Sequence, residues 1–151
     1  MASRTPYRCG AGRRFVVCPA WVDHDAAPDD IVVVIDPAIV RIAPTPPHAR
    51  RPQRAWRRVV AGHEGCSDVG SGSGVLAVGA ALSARIMSTP SASTTRKRRV
   101  TDDNAIRNGV TGIVAACRFP PRRPRRHRRP YDVVVANVLL PVIEASRRRV
   151  C

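Results

Sequence analysis

Seven residues constrain this chain more than any others: Asp68-Val69-Gly70-Ser71-Gly72-Ser73-Gly74. A short strand-like segment, Cys66 to Asp68, leads into them, and the Ala- and Leu-rich stretch Val75 to Ala84, which reads as a buried helix, follows. Glycines at alternate positions in a strand–turn–helix junction let the backbone take positive φ and stay bare of side chains, so a ligand can approach closely. The helix that follows offers unpaired N–H groups and a partial positive charge. Serine–glycine linkers share this composition, but the leading aspartate and the flanking strand and helix set the stretch apart. No Gly-Lys-Ser/Thr follows, which excludes a phosphate-binding loop of the nucleoside-triphosphatase kind.

The rest of the chain alternates between two textures. Phe15–Cys18 and the β-branched run Ile31–Ile35 read as two strands, with the turn-rich DHDAAPDD between them, and predict a short N-terminal β-hairpin. Ala84–Met87 and Gly112–Ala116 read as further strands, and Tyr131–Ala136 as the clearest one, apolar enough for a parallel sheet buried on both faces. Thr101 is placed to cap a helix over DDNAIRN that stops at Gly109. Pro46–Val60 reads as a weak helix and Leu139–Arg149 as a last one. Strands alternating with helices predict an α/β fold, a Rossmann-like sheet that is incomplete and interrupted by disordered Arg/Pro-rich stretches. The expected organisation is residues 1–38 as strands leading in, 39–63 as a linker or helix, and 64–151 as a partial cofactor-binding domain.

Charge and cysteine content narrow the function classes. Lys and Arg number 26 against 11 Asp and Glu, a net charge of +15, and Lys97 is the only lysine. Such a surplus attracts nucleic acid non-specifically. The densest run, Arg118–Pro130, has only Phe119 among its arginines, and its prolines exclude a basic recognition helix, so it reads as a solvated loop. No apolar run approaches a membrane span, and the first residues lack the apolar core of a signal peptide, which predicts a cytoplasmic protein. The five cysteines contain no C-x-x-C pair and read as reduced thiols. His63 and Cys66 have ligand-like spacing, but no second pair joins them, so no metal is expected.

On the glycine turn alone the ligand is a dinucleotide or S-adenosylmethionine. Four blocks in order decide between them: Gly12–Ala38 with its Ile-Asp-Pro, Asp68–Leu82, Thr101–Val110, and Tyr131–Ile143 with its Ala-Asn-Val-Leu. Together, over about 65 of 151 residues, they resemble class I S-adenosylmethionine-dependent methyltransferases. The likeness is strongest to the PrmA-type family that methylates large-subunit ribosomal protein eleven. The resemblance implies that Asp68, Gly70, Gly72 and Gly74 line S-adenosylmethionine. It also implies that Asn137, at the carboxyl end of the fourth strand, meets the methyl-accepting nitrogen or the methionine moiety as the catalytic residue. A ribosomal protein, or another protein amine, is the implied substrate.

The chain departs from the family at three points. The carboxylate that holds the ribose at the end of the second strand falls near Ala92, where no acid stands. The threonine-rich motif expected after Asp36-Pro37 is replaced by APTPPHARR, and the remaining strands of the sheet are expected beyond Cys151. Reading Pro44–His48 and Ser88–Pro90 one base earlier permits the family's residues at both places, so these stretches read as partly out of frame within a truncated methyltransferase. A second class of function remains at this level: a basic protein that contacts RNA or the ribosome through its arginines, without catalysis, or a fragment with neither activity.

Overall fold

A computed structural model describes residues 7–9, 14–36, 65–84, 87–92, 94–118, 131–136 and 144. The elements in order are β1 (Tyr7–Cys9), β2 (Arg14–Pro19), β3 (Asp30–Ile35), β4 (Gly65–Val69), α1 (Val75–Ala84), β5 (Met87–Ala92), α2 (Thr95–Arg107), β6 (Cys117–Arg118) and β7 (Val133–Ala136). They form a three-stranded sheet, β1-β2-β3, and a four-stranded sheet, β6-β5-β4-β7. Every pairing in the four-stranded sheet is parallel, as the apolar runs predict.

β2 and β3 are not the arms of a hairpin. They pair in parallel, Phe15 with Ile31 through Cys18 with Val34, while the antiparallel partner of β2 is the short β1. The segment between them is long enough to carry the chain back, and Asp30 ties it off. Its carboxylate accepts from the Ala27 N–H at 3.0 Å, and its own N–H donates to the Ala27 carbonyl.

α1 runs over the residues the sequence predicts, and its location explains its composition. A helix apolar on all sides must be covered on all sides. Leu76, Ala77, Val78 and Ala81 pack with Phe15, Val17, Val33 and Ile35 of the first sheet. Ala80 meets Cys66 of β4 on the other side. One core therefore joins the N-terminal strands to the glycine-turn half of the chain.

The second strand of the larger sheet lies at Met87–Ala92, later than the Ala84–Met87 expected from composition. Pairing decides this. β4 aligns Gly65 with Met87 through Val69 with Ser91, and Ser88, Thr89 and Pro90 become buried. Pro90 has no N–H to give. The third strand is broken opposite it: Val114 bridges Ser88, and pairing resumes only at Ser91 with Cys117. Hence Gly112–Ala116 is mostly turn, and the strand is the short β6.

Ser88–Pro90, expected to be partly out of frame, lie within β5, and the basic Arg96–Arg99 form the start of α2. The cap is Thr94, whose side chain accepts from the Lys97 N–H at 3.2 Å, so Thr101 lies inside the helix and is fully buried. Thr94→Ala should cost about 1 kcal/mol, read as a lowered urea midpoint. An unchanged midpoint would show that the Thr94 cap contributes nothing. Gly109, at φ +65, follows the end of α2 as predicted.

β7 ends the four-stranded sheet among the described residues, and Val134 on it is 47% exposed, so the clearest strand carries an open apolar edge. The expected helix over Pro46–Val60, all of that over Leu139–Arg149 except Glu144, residues 37–64 and the run Phe119–Pro130 lie outside the described residues. No described helix is long and apolar enough to cross a membrane.

Candidate cofactor site

Gly70, Gly72 and Gly74 form the turn from β4 into α1 with φ of 74°, 59° and 78°. The turn closes on itself through the Gly74 N–H and the Ser71 carbonyl at 2.8 Å. The Gly74 carbonyl then accepts the first helical bond, from the Val78 N–H. Ser71, Ser73 and Gly74 are buried, whereas Gly70 and Gly72 keep part of their backbone open. The bare backbone therefore sits at the carboxyl ends of the parallel strands, before the N-terminus of α1, where open α/β sheets bind ligands.

Asp68 is placed beneath this turn, not on its surface. It is 1% exposed, and its carboxyl accepts from the Ala77 N–H in the first turn of α1. Burial in the apolar layer pushes its pKa up to about 7, with the Ala77 N–H acting against the shift. Its structural task is to join the strand end to the helix start. The same burial, with the Asp68 charge close by, raises the Cys66 thiol to about 11, so Cys66 is an inert core thiol.

Thr101, expected to cap its helix, and Asn104 in the same helix hold the turn from the far side. The Thr101 hydroxyl stands 3.3 Å from the Gly72 carbonyl, from the Lys97 carbonyl and from Ser71 Oγ. With one proton it serves one carbonyl and accepts from Ser71. A Cβ on Gly74 would stand 2.7 Å from Thr101 Cγ2. Asn104 Nδ2 donates to the Ser73 carbonyl at 2.9 Å and to the Asp36 carbonyl at 3.3 Å, and Oδ1 accepts from the Asp36 N–H at 2.8 Å.

Asn108 repeats the pattern one helical turn on: Oδ1 accepts from the Val34 N–H at 2.9 Å and Nδ2 donates to the Val34 carbonyl at 2.7 Å. Four helical residues advance about 6 Å, close to the two-residue repeat of a strand. Asparagines at that spacing therefore act as a neighbouring strand for the free edge of β3. The signal was present in TDDNAIRNGV: Thr101, Asn104 and Asn108 share one helix face.

The structure brings Asp68, Gly70, Gly72 and Gly74 together. Asn137 follows Ala136, the last residue of β7, and lies outside the described residues. β5 ends at Ala92, and its last two residues, Ser91 and Ala92, carry no acid.

Comparisons with known proteins agree with this architecture. The ribosomal protein L11 methylase from Lactobacillus delbrueckii subsp. bulgaricus superposes with a TM-score of 0.68 at 19% identity, covering 95% of this chain and 71% of that one. The ribosomal protein L11 methyltransferase of Pelotomaculum thermopropionicum is 36% identical over 140 residues, 89% of this chain and 43% of the relative. That of Heliobacterium modesticaldum is 33% identical over 137 residues, 87% of this chain and 41% of the relative. The chain thus spans less than half the length of these curated relatives. The family model described as ribosomal protein L11 methyltransferase (PrmA) matches residues 4–148 of the 151, and the chain belongs to that family.

Proposed function

We propose that this chain is the cofactor-binding part of an S-adenosylmethionine-dependent methyltransferase whose substrate is a ribosomal protein amine. The observation that carries the reading is the turn of three positive-φ glycines between β4 and α1, in a chain of this family. Gly70 and Gly72 present open backbone to a ligand, and the residues present fit the group: nothing larger than a hydrogen stands at those positions. When bound, S-adenosylmethionine supplies an electrophilic methyl group.

The chain's own contribution is positioning. Gly70 and Gly72 admit the ligand, Gly74 lets α2 pack against the turn, and Asp68 holds the start of α1 in place. Asn137 is the candidate to orient the acceptor: its side-chain carbonyl accepts an N–H of a neutral amine and leaves the nitrogen lone pair directed outward. Rate acceleration in such a transfer comes mainly from alignment. Exposed Arg96, Arg98 and Arg99 on α2, with Arg122, Arg123, Arg125 and Arg126 of the basic run, support contact with ribosomal RNA phosphates near the substrate.

Calorimetric titration of the chain with S-adenosylhomocysteine, the demethylated form of the cofactor, tests the reading. Saturable binding at micromolar ligand is expected, insensitive to salt. Heat that appears only with RNA and vanishes with salt would instead leave a basic RNA-binding protein without a cofactor site.

A further inference from the structure

We propose that Asn104 is a positioning residue of the cofactor site, one that locks the glycine turn to the end of β3 so that the two order together. The inference rests on the cofactor reading above and adds a residue to it. Asn104 is fully buried, and its amide is used completely: the oxygen takes the Asp36 N–H, one amide proton reaches the Asp36 carbonyl and the other reaches Ser73 inside the turn. Thr101, one turn earlier on the same face, holds Ser71 and Gly72. The turn is thereby gripped at three consecutive residues from one helix face.

The grip fixes peptide orientation. Glycines cost the most backbone entropy to order, so a turn of three of them needs external holds to stay ready for a ligand. Donors on the Gly72 and Ser73 carbonyls draw these oxygens towards α2, away from the open side of the turn. A ligand then meets an ordered backbone and does not have to order it. Because Asn104 also holds Asp36, the chain leaving β3 is fixed by the same amide.

Asn104→Asp removes the donor and keeps the acceptor. An ionised carboxylate still accepts from the Asp36 N–H but has no proton for the Ser73 or Asp36 carbonyls, and it faces both with like charge. A protonated carboxyl regains one donor. The titratable groups that meet there are Asp36, the residue after β3, paired with Arg107 of α2 at 3.9 Å, Asp102 and Asp103 on α2, and Asp68 on β4. All are present in both proteins, so the ratio of variant to wild-type affinity isolates the substituted group.

S-adenosylhomocysteine affinity of the full chain, measured by calorimetry from pH 5 to pH 8, is the test. At pH 8 the variant should bind roughly tenfold more weakly, the scale of one charged-group hydrogen bond. The ratio should shrink towards unity at pH 5 as the carboxyl takes up its proton. Asn108→Asp, which loses its donors to the Val34 and Asn104 carbonyls but bonds to no residue of the glycine turn, should lower the urea midpoint and leave affinity unchanged. Should Asn104→Asp not fold at pH 8, Thr101→Val decides, because it keeps shape and removes the hydroxyl. Weaker binding under conditions where the variant is fully folded supports the grip, and wild-type affinity overturns it. An Asn104→Asp variant with wild-type affinity and pH profile also overturns the proposal and leaves the cofactor reading intact. A wild-type chain that does not bind S-adenosylhomocysteine overturns both.

Discussion

Replacing Gly74 by valine should abolish S-adenosylhomocysteine binding and destabilise the fold by about 2–5 kcal/mol. Two costs combine. The backbone at φ +78 lies in the left-handed region, which a β-branched residue enters only under strain. The first side-chain atom would also stand 2.7 Å from Thr101 Cγ2, inside the buried face of α2. Thr101 cannot yield cheaply, because it is fully buried and its hydroxyl holds the turn. Gly109 provides the contrast. It has φ +65, but a Cβ there meets nothing within 4 Å. Gly109→Ala therefore carries the conformational cost alone, about 1 kcal/mol, and should leave ligand affinity unchanged. Urea unfolding and calorimetry on the two variants separate strain from collision. Equal effects at the two positions would mean that the contact with Thr101 is not what makes Gly74 necessary.

The second large effect is a pH dependence of stability carried by Asp68. Its pKa in the folded protein, about 7, lies above the ordinary 3.8 that it regains on unfolding. Between those values the folded state holds a proton that the unfolded state has released, so stability falls as pH rises through this window. Below about pH 4 both states are protonated and above about pH 7 both are ionised, so this contribution is level outside the window. A shift of about three units corresponds to about 4 kcal/mol lost from pH 4 to pH 7. Asp68→Asn keeps an oxygen to accept from the Ala77 N–H and cannot ionise. Urea midpoints from pH 4 to pH 8 should therefore fall less steeply in the variant than in the wild type. Parallel curves would place the Asp68 carboxyl in contact with water and remove its burial as the cause.

How much of this was legible in the residues depended on whether the signal was local. The glycine turn, the helix Val75–Ala84, the stop at Gly109 and the strand within Tyr131–Ala136 were all readable, because each is set by the conformations or the continuous apolarity of a few adjacent residues. Family kinship was readable as well, from four short blocks in order. Pairing was not. Phe15–Cys18 and Ile31–Ile35 look like strands by themselves, but their parallel alignment depends on α1 covering both. Met-Ser-Thr-Pro-Ser-Ala has poor strand composition and becomes a strand because β4 buries it. Thr101 resembled a helix start until Thr94 took the cap and the interior of the helix turned Thr101 and Asn104 onto the glycine loop. Asp68 resembled a ligand contact until the turn above it closed it from water. In each of these cases the partner atoms come from residues some 10 to 70 positions away in the chain. The sequence by itself determined where the glycine turn joins strand to helix and which family the chain belongs to. Only the tertiary structure decided which side chains hold that turn, because a buried polar group takes its role from whatever donors and acceptors the fold brings within hydrogen-bond reach.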